Sequence, residues 1–427
     1  MIQESEYKSR REAFAKSLKK GSVAVLFSAE YQTRSHDTHY PYRQNSNFYY
    51  LCGFTEDRAA LVFVKEKKDT KIYLFVYKKE KQEELWNGKR LGKERAKELF
   101  DLDDVFDESE LTAKLKSFLD TKIKRLYYDF KLDYSKVKLL KRYAKEVECF
   151  QNAATIIERM RLIKSDAEIA LIKKALHITK AAHHRAMKKV KELEYEYELQ
   201  AEFEYMFKKQ GAQSDAYTSI IASGNNANTL HYIQNSDKIA PDRLILIDAG
   251  CEYNYYASDI TRTISSSAKF TKAQREIYTL VLDVEKAIIA MVAPNVLRSA
   301  LQKKAEQLLC QGLVDLGILK GEVQKLLKKE AHKKYFPHGI GHWMGIDVHD
   351  QCPYKDTKGK EIPLQKGMVL TIEPGIYIDE HDKTVAKKYR GIGIRIEDDI
   401  LVTENGYENL SKAIVKEIKD IESLASS

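Results

Sequence analysis

Carboxylates set at the ends of β-rich apolar runs constrain this chain more than any other feature. Asp248 ends Leu-Ile-Leu-Ile, Glu373 follows Val-Leu-Thr-Ile, and Glu397 closes Gly-Ile-Gly-Ile-Arg-Ile. A carboxylate beside such a run is costly to bury unless it is paired or binds a metal. Together with Asp259 and His342 they give four carboxylates and one imidazole in the C-terminal half. Hard-to-borderline divalent cations select such a donor set, which points to metal-assisted hydrolysis.

A chain of 427 residues exceeds a single hydrophobic core and predicts two domains. No stretch approaches the roughly 18 apolar residues of a membrane helix. The start, Met-Ile-Gln-Glu-Ser-Glu-Tyr-Lys, lacks the apolar core of a signal peptide, so a cytoplasmic location with no membrane partner is expected. The formal charge is +9, but the 72 basic residues are interleaved with 63 acidic ones. That is a solvated surface rather than the one-sided basic face a nucleic acid needs, and no nucleic-acid partner is expected. Cys52, Cys149, Cys251, Cys310 and Cys352 are scattered without CxxC spacing and read as reduced thiols.

The first 150 or so residues alternate strand-like segments (Val23 to Phe27, Ala60 to Val64, Ile72 to Tyr77, Arg125 to Tyr128) with helix-like ones (Lys89 to Phe100, Glu108 to Leu119, Asp133 to Ala144). An α/β domain over residues 1–153 is therefore expected. Ser165 with Glu168 forms a capping box that opens a long helix carrying Ile169, Ile172 and Leu176 on one face. Thr271 with Gln274 forms another. From Leu244, and again from Met368 to Thr403, the chain is β-rich with glycine turns. Residues 154–427 thus read as an α+β domain, helices on one face of a largely antiparallel sheet.

Asp248 and Asp259 lie eleven positions apart around Gly250 and Cys-Glu-Tyr-Asn-Tyr-Tyr. A symmetric hairpin turning between Tyr253 and Asn254 would oppose them about 5 Å apart at Cβ. Like charges so placed repel by about 4 kcal/mol at an effective dielectric near 20, a penalty a bridging cation reverses. Two turn-flanking aspartates would look the same. Arg395 and Glu397 share the face opposite Ile394 and Ile396, as either a surface ion pair on an edge strand or the wall of a polar cavity. His338, His342 and His349 fall within twelve residues. Gly339 and Gly341 disfavour a helical zinc motif there and suit a backbone bent around a site. His177, His183 and His184 sit in the long helix and read as packing or surface residues.

The stretches Leu-Ile-Asp248-Ala-Gly-Cys-Glu-Tyr, Ser-Asp259-Ile-Thr-Arg-Thr, His338-Gly-Ile-Gly-His342-Trp-Met-Gly-Ile-Asp-Val-His349-Asp, Thr-Ile-Glu373-Pro-Gly-Ile-Tyr377-Ile and Tyr-Arg-Gly-Ile-Gly-Ile-Arg395-Ile-Glu397-Asp-Asp resemble the pita-bread metallopeptidase family, most closely its aminopeptidase P group. Asp37-Thr-His-Tyr-Pro-Tyr-Arg and Glu-Leu-Trp86-Asn-Gly-Lys-Arg extend the likeness through the N-terminal half. The resemblance implies a pita-bread catalytic domain behind an N-terminal domain that restricts the substrate and supports a homo-oligomer, a dimer or tetramer. It implies two divalent ions, manganese by family habit. Asp248 would bind one, His342 and Glu373 the other, while Asp259 and Glu397 bridge them, and a water shared by such ions ionises near neutral pH to become the nucleophile. Glu373 would shuttle protons, and His231 and His349 would stabilise the reacting carbonyl. His338, Tyr377 and Arg395 would line the pocket for a proline ring, and Trp86 and Asp37 would approach the site, in cis or from a neighbouring subunit. The implied reaction is release of the N-terminal residue from peptides with proline second. The alternatives are a prolidase confined to Xaa-Pro dipeptides, and a metal-free peptide-binding or chaperone protein on the same fold.

Overall fold

The computed structural model describes residues 2–120 and 122–426. Its contacts divide the chain into two units, one running to Arg161 and the other beginning at Leu162. The expected boundary at 153/154 falls at the start of the helix Ala154–Arg161, which is in the first unit. That helix is tied there by Tyr50, whose hydroxyl donates to the Met160 carbonyl at 3.2 Å, and by Arg161, which donates to Asn47 Oδ1 at 2.7 Å.

In the first unit a six-stranded mixed sheet runs in the order Asp104–Asp107, Lys71–Val76, Ala60–Lys65, Ser22–Phe27, Arg125–Tyr128, Cys149–Asn152. The three central neighbours Ser22–Phe27, Ala60–Lys65 and Lys71–Val76 pair antiparallel, and the outer strands join in parallel. Val23, Val25, Val62, Phe75 and Leu126 present one face to Leu111, Leu115 and Leu140 of the covering helices, as alternation within strands requires. The helices Glu4–Ser17 and Ser46–Cys52 were not foreseen.

Every strand pair of the second unit is antiparallel among the described residues. The helix Asp166–Lys189 begins at the Ser165–Glu168 capping box and packs on Cys251–Tyr253 and Tyr256–Ala257. The helix Lys272–Ile289 begins at the Thr271–Gln274 box and covers the strands Val369–Ile372, Gly375–Ile378 and Ile392–Arg395. The hairpin register corrects the expectation. Tyr253 pairs with Tyr256 and Asp248 with Thr261, so the turn is Asn254-Tyr255, two residues later across the ladder than the symmetric placement of the aspartates requires. Both turn residues take positive φ, 47° and 71°, the backbone of a tight two-residue hairpin loop.

Arg262 ties the sheets together beneath the site. Its fully buried guanidinium donates to the carbonyls of Thr261 (2.9 Å), Glu397 (2.6 Å), Ile414 and Val415 (both 3.0 Å), and to Asp398 Oδ1 (2.7 Å). Lys416 adds a second cation to Asp398 at 2.5 Å and reaches Glu285 at 2.7 Å. This network joins strand Thr261–Ser265 to the backbone of Glu397.

His183, buried in the long helix, bonds the Ala249 carbonyl through Nε2 at 3.1 Å and meets the ring of Phe203 edge-on. Burial, then the charge of Arg262, pushes its pKa down to about 3. Its unfolded value is about 6.5, so its contribution to stability is present above pH 6.5 and lost as pH falls below it. From this group, the unfolding free energy should drop by about 2 kcal/mol between pH 7 and pH 5. Urea unfolding of His183→Gln, which keeps an N–H donor but does not titrate, should show that much less acid sensitivity. Equal slopes for both proteins would disprove the assignment.

Candidate metal centre

The ends of separate strands meet in one cavity of about 580 Å³ in the second unit, lined among others by Asp248, Asp259, His342, Glu373 and Glu397. Asp248 is the last residue of Leu244–Asp248, Glu373 follows Val369–Ile372, and Glu397 links Ile392–Arg395 to Asp398–Val402. Glycine permits the convergence at two points. A Cβ on Gly250 would lie 1.8 Å from the Ser258 carbonyl oxygen, and one on Gly341 would lie 1.9 Å from that of Thr371. Only a residue without a side chain lets those backbones close beside Asp259 and His342.

Ligand atoms of Asp248, Asp259 and Glu397 lie within 4.8 Å of one another, as do those of His342, Glu373 and Glu397 and those of Asp259, His342 and His349. His342 Nδ1 bonds the Trp343 carbonyl at 3.0 Å. That bond turns Nε2 toward Asp259 Oδ2 (3.3 Å) and Glu373 Oε1 (3.7 Å), the orientation a metal-binding histidine needs. Asp248 receives Tyr217 Oη–H on Oδ1 at 2.5 Å and Arg395 on Oδ2 at 2.6 Å. Thr261 donates to Glu397 Oε2 at 2.8 Å. Each carboxylate oxygen still has a free lone pair for a cation.

The electrostatics show a site short of positive charge. Burial, followed by repulsion from Asp259, Glu373 and Asp248, lifts Glu397 well above the carboxylate range. Burial pushes Glu373 up to about 7, against the pull of His342 and Arg395. Burial would lower His342, but the Asp259 and Glu373 carboxylates raise it to about 9. Protons are thus held where divalent charge would otherwise sit. Four carboxylates and one oriented imidazole in this arrangement fit a divalent-metal centre.

His231 and His349 line the same cavity and are exposed. The His349 ring lies 4.2 Å from that of His342. His338 Nε2 meets Tyr377 Oη at 2.8 Å, and Arg395 donates to the same oxygen at 2.9 Å. The side chains of Arg395 and Glu397 are buried, so their strand faces a polar cavity and not water. Trp86, 80% exposed on the helix Lys81–Asn87, and Asp37, in the hairpin of Thr33–Ser35 with Thr38–His39, stand on the surface of the first unit. Tyr217 was missed. It sits in irregular chain before strand Ile220–Ser223, where no periodicity distinguishes it from the other tyrosines.

The comparisons with known proteins agree over the whole length. Residues 170–404 match metallopeptidase family M24, and residues 7–127 match the aminopeptidase P N-terminal domain. The Xaa-Pro aminopeptidase of Escherichia coli (strain K12) is 40% identical, over 99% of this chain and 98% of the relative. A solved structure of zinc-substituted E. coli aminopeptidase P in complex with product superposes with a TM-score of 0.95 at 38% identity, covering 100% of this chain and 98% of that one. Proline aminopeptidase P II from Yersinia pestis gives 0.96 at 37%, covering 100% of both.

Tyr217→Phe removes one of the two donors that orient Asp248. Outer-shell partners of this kind hold about ten- to a hundred-fold in metal affinity. Calorimetric titration of the stripped variant with Mn²⁺ should show weakening of that order with an unchanged circular dichroism spectrum. Wild-type affinity would mean that the phenol does not orient the ligand.

Proposed function

The chain belongs to metallopeptidase family M24, with an N-terminal domain of the aminopeptidase P type, and on that premise we infer that it hydrolyses the first peptide bond of peptides whose second residue is proline. The observation that carries this reading is the convergence of five donor side chains beside the linked Arg395, Tyr377 and His338.

Asp248, Asp259, His342, Glu373 and Glu397 would hold two divalent ions. An oxygen-rich shell with one imidazole favours manganese. When bound, such ions supply Lewis acidity that polarises a carbonyl oxygen and lowers the pKa of water. Glu373, beside the donor cluster and 3.7 Å from His338, would accept a proton from the attacking water and return it to the leaving proline nitrogen. His231 and His349, exposed in the cavity, donate to the carbonyl oxygen as it gains charge. His338, Tyr377 and Arg395 form a bonded wall for the proline ring. An Xaa-Pro bond has no N–H to be recognised, so selectivity rests on the shape of that wall.

Trp86 and Asp37 complete the proposed substrate-facing set. Leu85 and Trp86 are each 80% exposed, a costly display for a surface helix that favours cover by a neighbouring subunit and hence a homo-oligomer. All five cysteines are free, as a reducing cytoplasm would keep them.

Metal-stripped protein given back Mn²⁺, Co²⁺ or Zn²⁺ separately should release the N-terminal residue of Xaa-Pro-Yaa tripeptides, fastest with manganese. Cleavage confined to Xaa-Pro dipeptides would overturn the exopeptidase assignment in favour of a prolidase. Asp259→Ala should lose both bound ions and most turnover. His349→Ala should retain its ions by elemental analysis while kcat falls about 10²- to 10³-fold, the size of an oxyanion-donor loss. An emptied site in that variant would make His349 a ligand instead.

A further inference from the structure

Lys164, immediately before the Ser165–Glu168 capping box, buries its ammonium group away from the donor set, with a side chain only 1% exposed. Its Nζ donates to Asp350 Oδ2 at 2.9 Å, and the Asp350 side chain is equally buried. The Cys352 thiol donates to the same oxygen at 3.3 Å. Backbone closes over the pair, because a Cβ on Gly345 would lie 2.6 Å from Asp350 Oδ2 and 2.8 Å from Lys164 Cε. Main chain also holds the far end, where the Lys164 N–H donates to the Gly367 carbonyl at 2.8 Å. Taking two charges out of water costs much of what their attraction returns. The pair is thus a weak source of stability but a firm constraint on position.

Asp350 directly follows His349. Its backbone N–H donates to the Trp343 carbonyl at 2.8 Å and closes the base of the loop formed by residues 344–349. The same carbonyl accepts from His342 Nδ1 at 3.0 Å. The His349 ring stands 4.2 Å from that of His342, and the residue is exposed in the cavity. Among the described residues this ring makes no hydrogen bond. Its place therefore depends on the backbone that Asp350 anchors.

We propose that Lys164 is a positioning residue, which through Asp350 holds His349 where its ring can meet the reacting carbonyl oxygen. The inference rests on the role given to His349 in the proposed reaction.

A double-mutant cycle on manganese-loaded protein, with Ala-Pro-Ala as substrate, tests it. Lys164→Met keeps an unbranched stem and removes the charge. In the wild-type background kcat should fall about ten- to a hundred-fold, as a misplacement of about 1 Å does. KM should change little, and elemental analysis should find both ions retained. In the His349→Ala background the same substitution should change kcat by less than about twofold, because the ring it positions is gone. Wild-type kcat in Lys164→Met, equal losses in the two backgrounds, or loss of the ions would overturn the proposal. Should circular dichroism show Lys164→Met unfolded, Lys164→Met/Asp350→Asn, which leaves no charge unpaired, replaces it in the cycle and is read the same way. Unchanged turnover in His349→Ala alone would sink the role of His349 and the proposal with it. A wild type unable to cleave the peptide would sink the exopeptidase reading itself.

Discussion

Like charge forced together by burial is the constraint that organises the second unit. Asp248, Asp259 and Glu397 are all buried, with ligand atoms within 4.8 Å of one another. Three carboxylates so close repel by several kcal/mol even at an effective dielectric near 20. Arg395, donating to Asp248, and hydroxyls from Tyr217 and Thr261 relieve part of this. They add one full positive charge, too little for the set, and the upward shifts of Glu397 and Glu373 express the remainder. The arrangement is stable as a resting state only if cations or protons enter it.

A rigid frame is needed to hold groups that push one another apart, and the Arg262 network supplies it. One guanidinium binds carbonyls from three chain segments and the Asp398 carboxylate immediately after Glu397. Breaking one member of such a buried set typically costs about 3–5 kcal/mol. Here the cost would fall on the backbone that carries Glu397. The close approaches at Gly250 and Gly341 act in the same sense, because they fix Asp259 and His342 through main chain rather than through adjustable side chains.

Much of this was legible in the sequence for a physical reason. An acidic residue at the end of an apolar run signals a strand terminus facing a polar cavity, and Asp248, Glu373 and Glu397 all stand at such ends. The capping boxes at Ser165 and Thr271 were equally readable, since their chemistry is local. The hairpin register was not. Symmetry about the two aspartates suggested a turn at Tyr253-Asn254, whereas the chain turns at Asn254-Tyr255, and a tyrosine at positive φ leaves no compositional trace. Alternation placed Arg395 and Glu397 on one face but could not say whether that face met water. The answer depended on strand Leu244–Asp248, almost 150 residues away, which supplies Asp248 to Arg395. Tyr217 was invisible for the same reason, because its meaning lies wholly in a partner distant in sequence.

The hydrogen bonds also divide labour among the titratable groups. Arg395 has only donors, so Tyr377 must accept from it and give its own proton to His338 Nε2. His338 then carries its proton on Nδ1 and spends it on the Gly339 carbonyl. Burial, with Arg395 nearby, holds this imidazole down to about 4, so it stays neutral at physiological pH and has no proton to offer a leaving group. His338 can shape a pocket but cannot act as the acid. Glu373 stands 3.7 Å from that ring; burial lifts its carboxyl while no cation offsets the neighbouring carboxylates, and in the function proposed above it is the group that would move the proton. In the proposed reaction the two neighbouring groups would thus have separate tasks, because the His338 hydrogen is already committed to the Gly339 carbonyl.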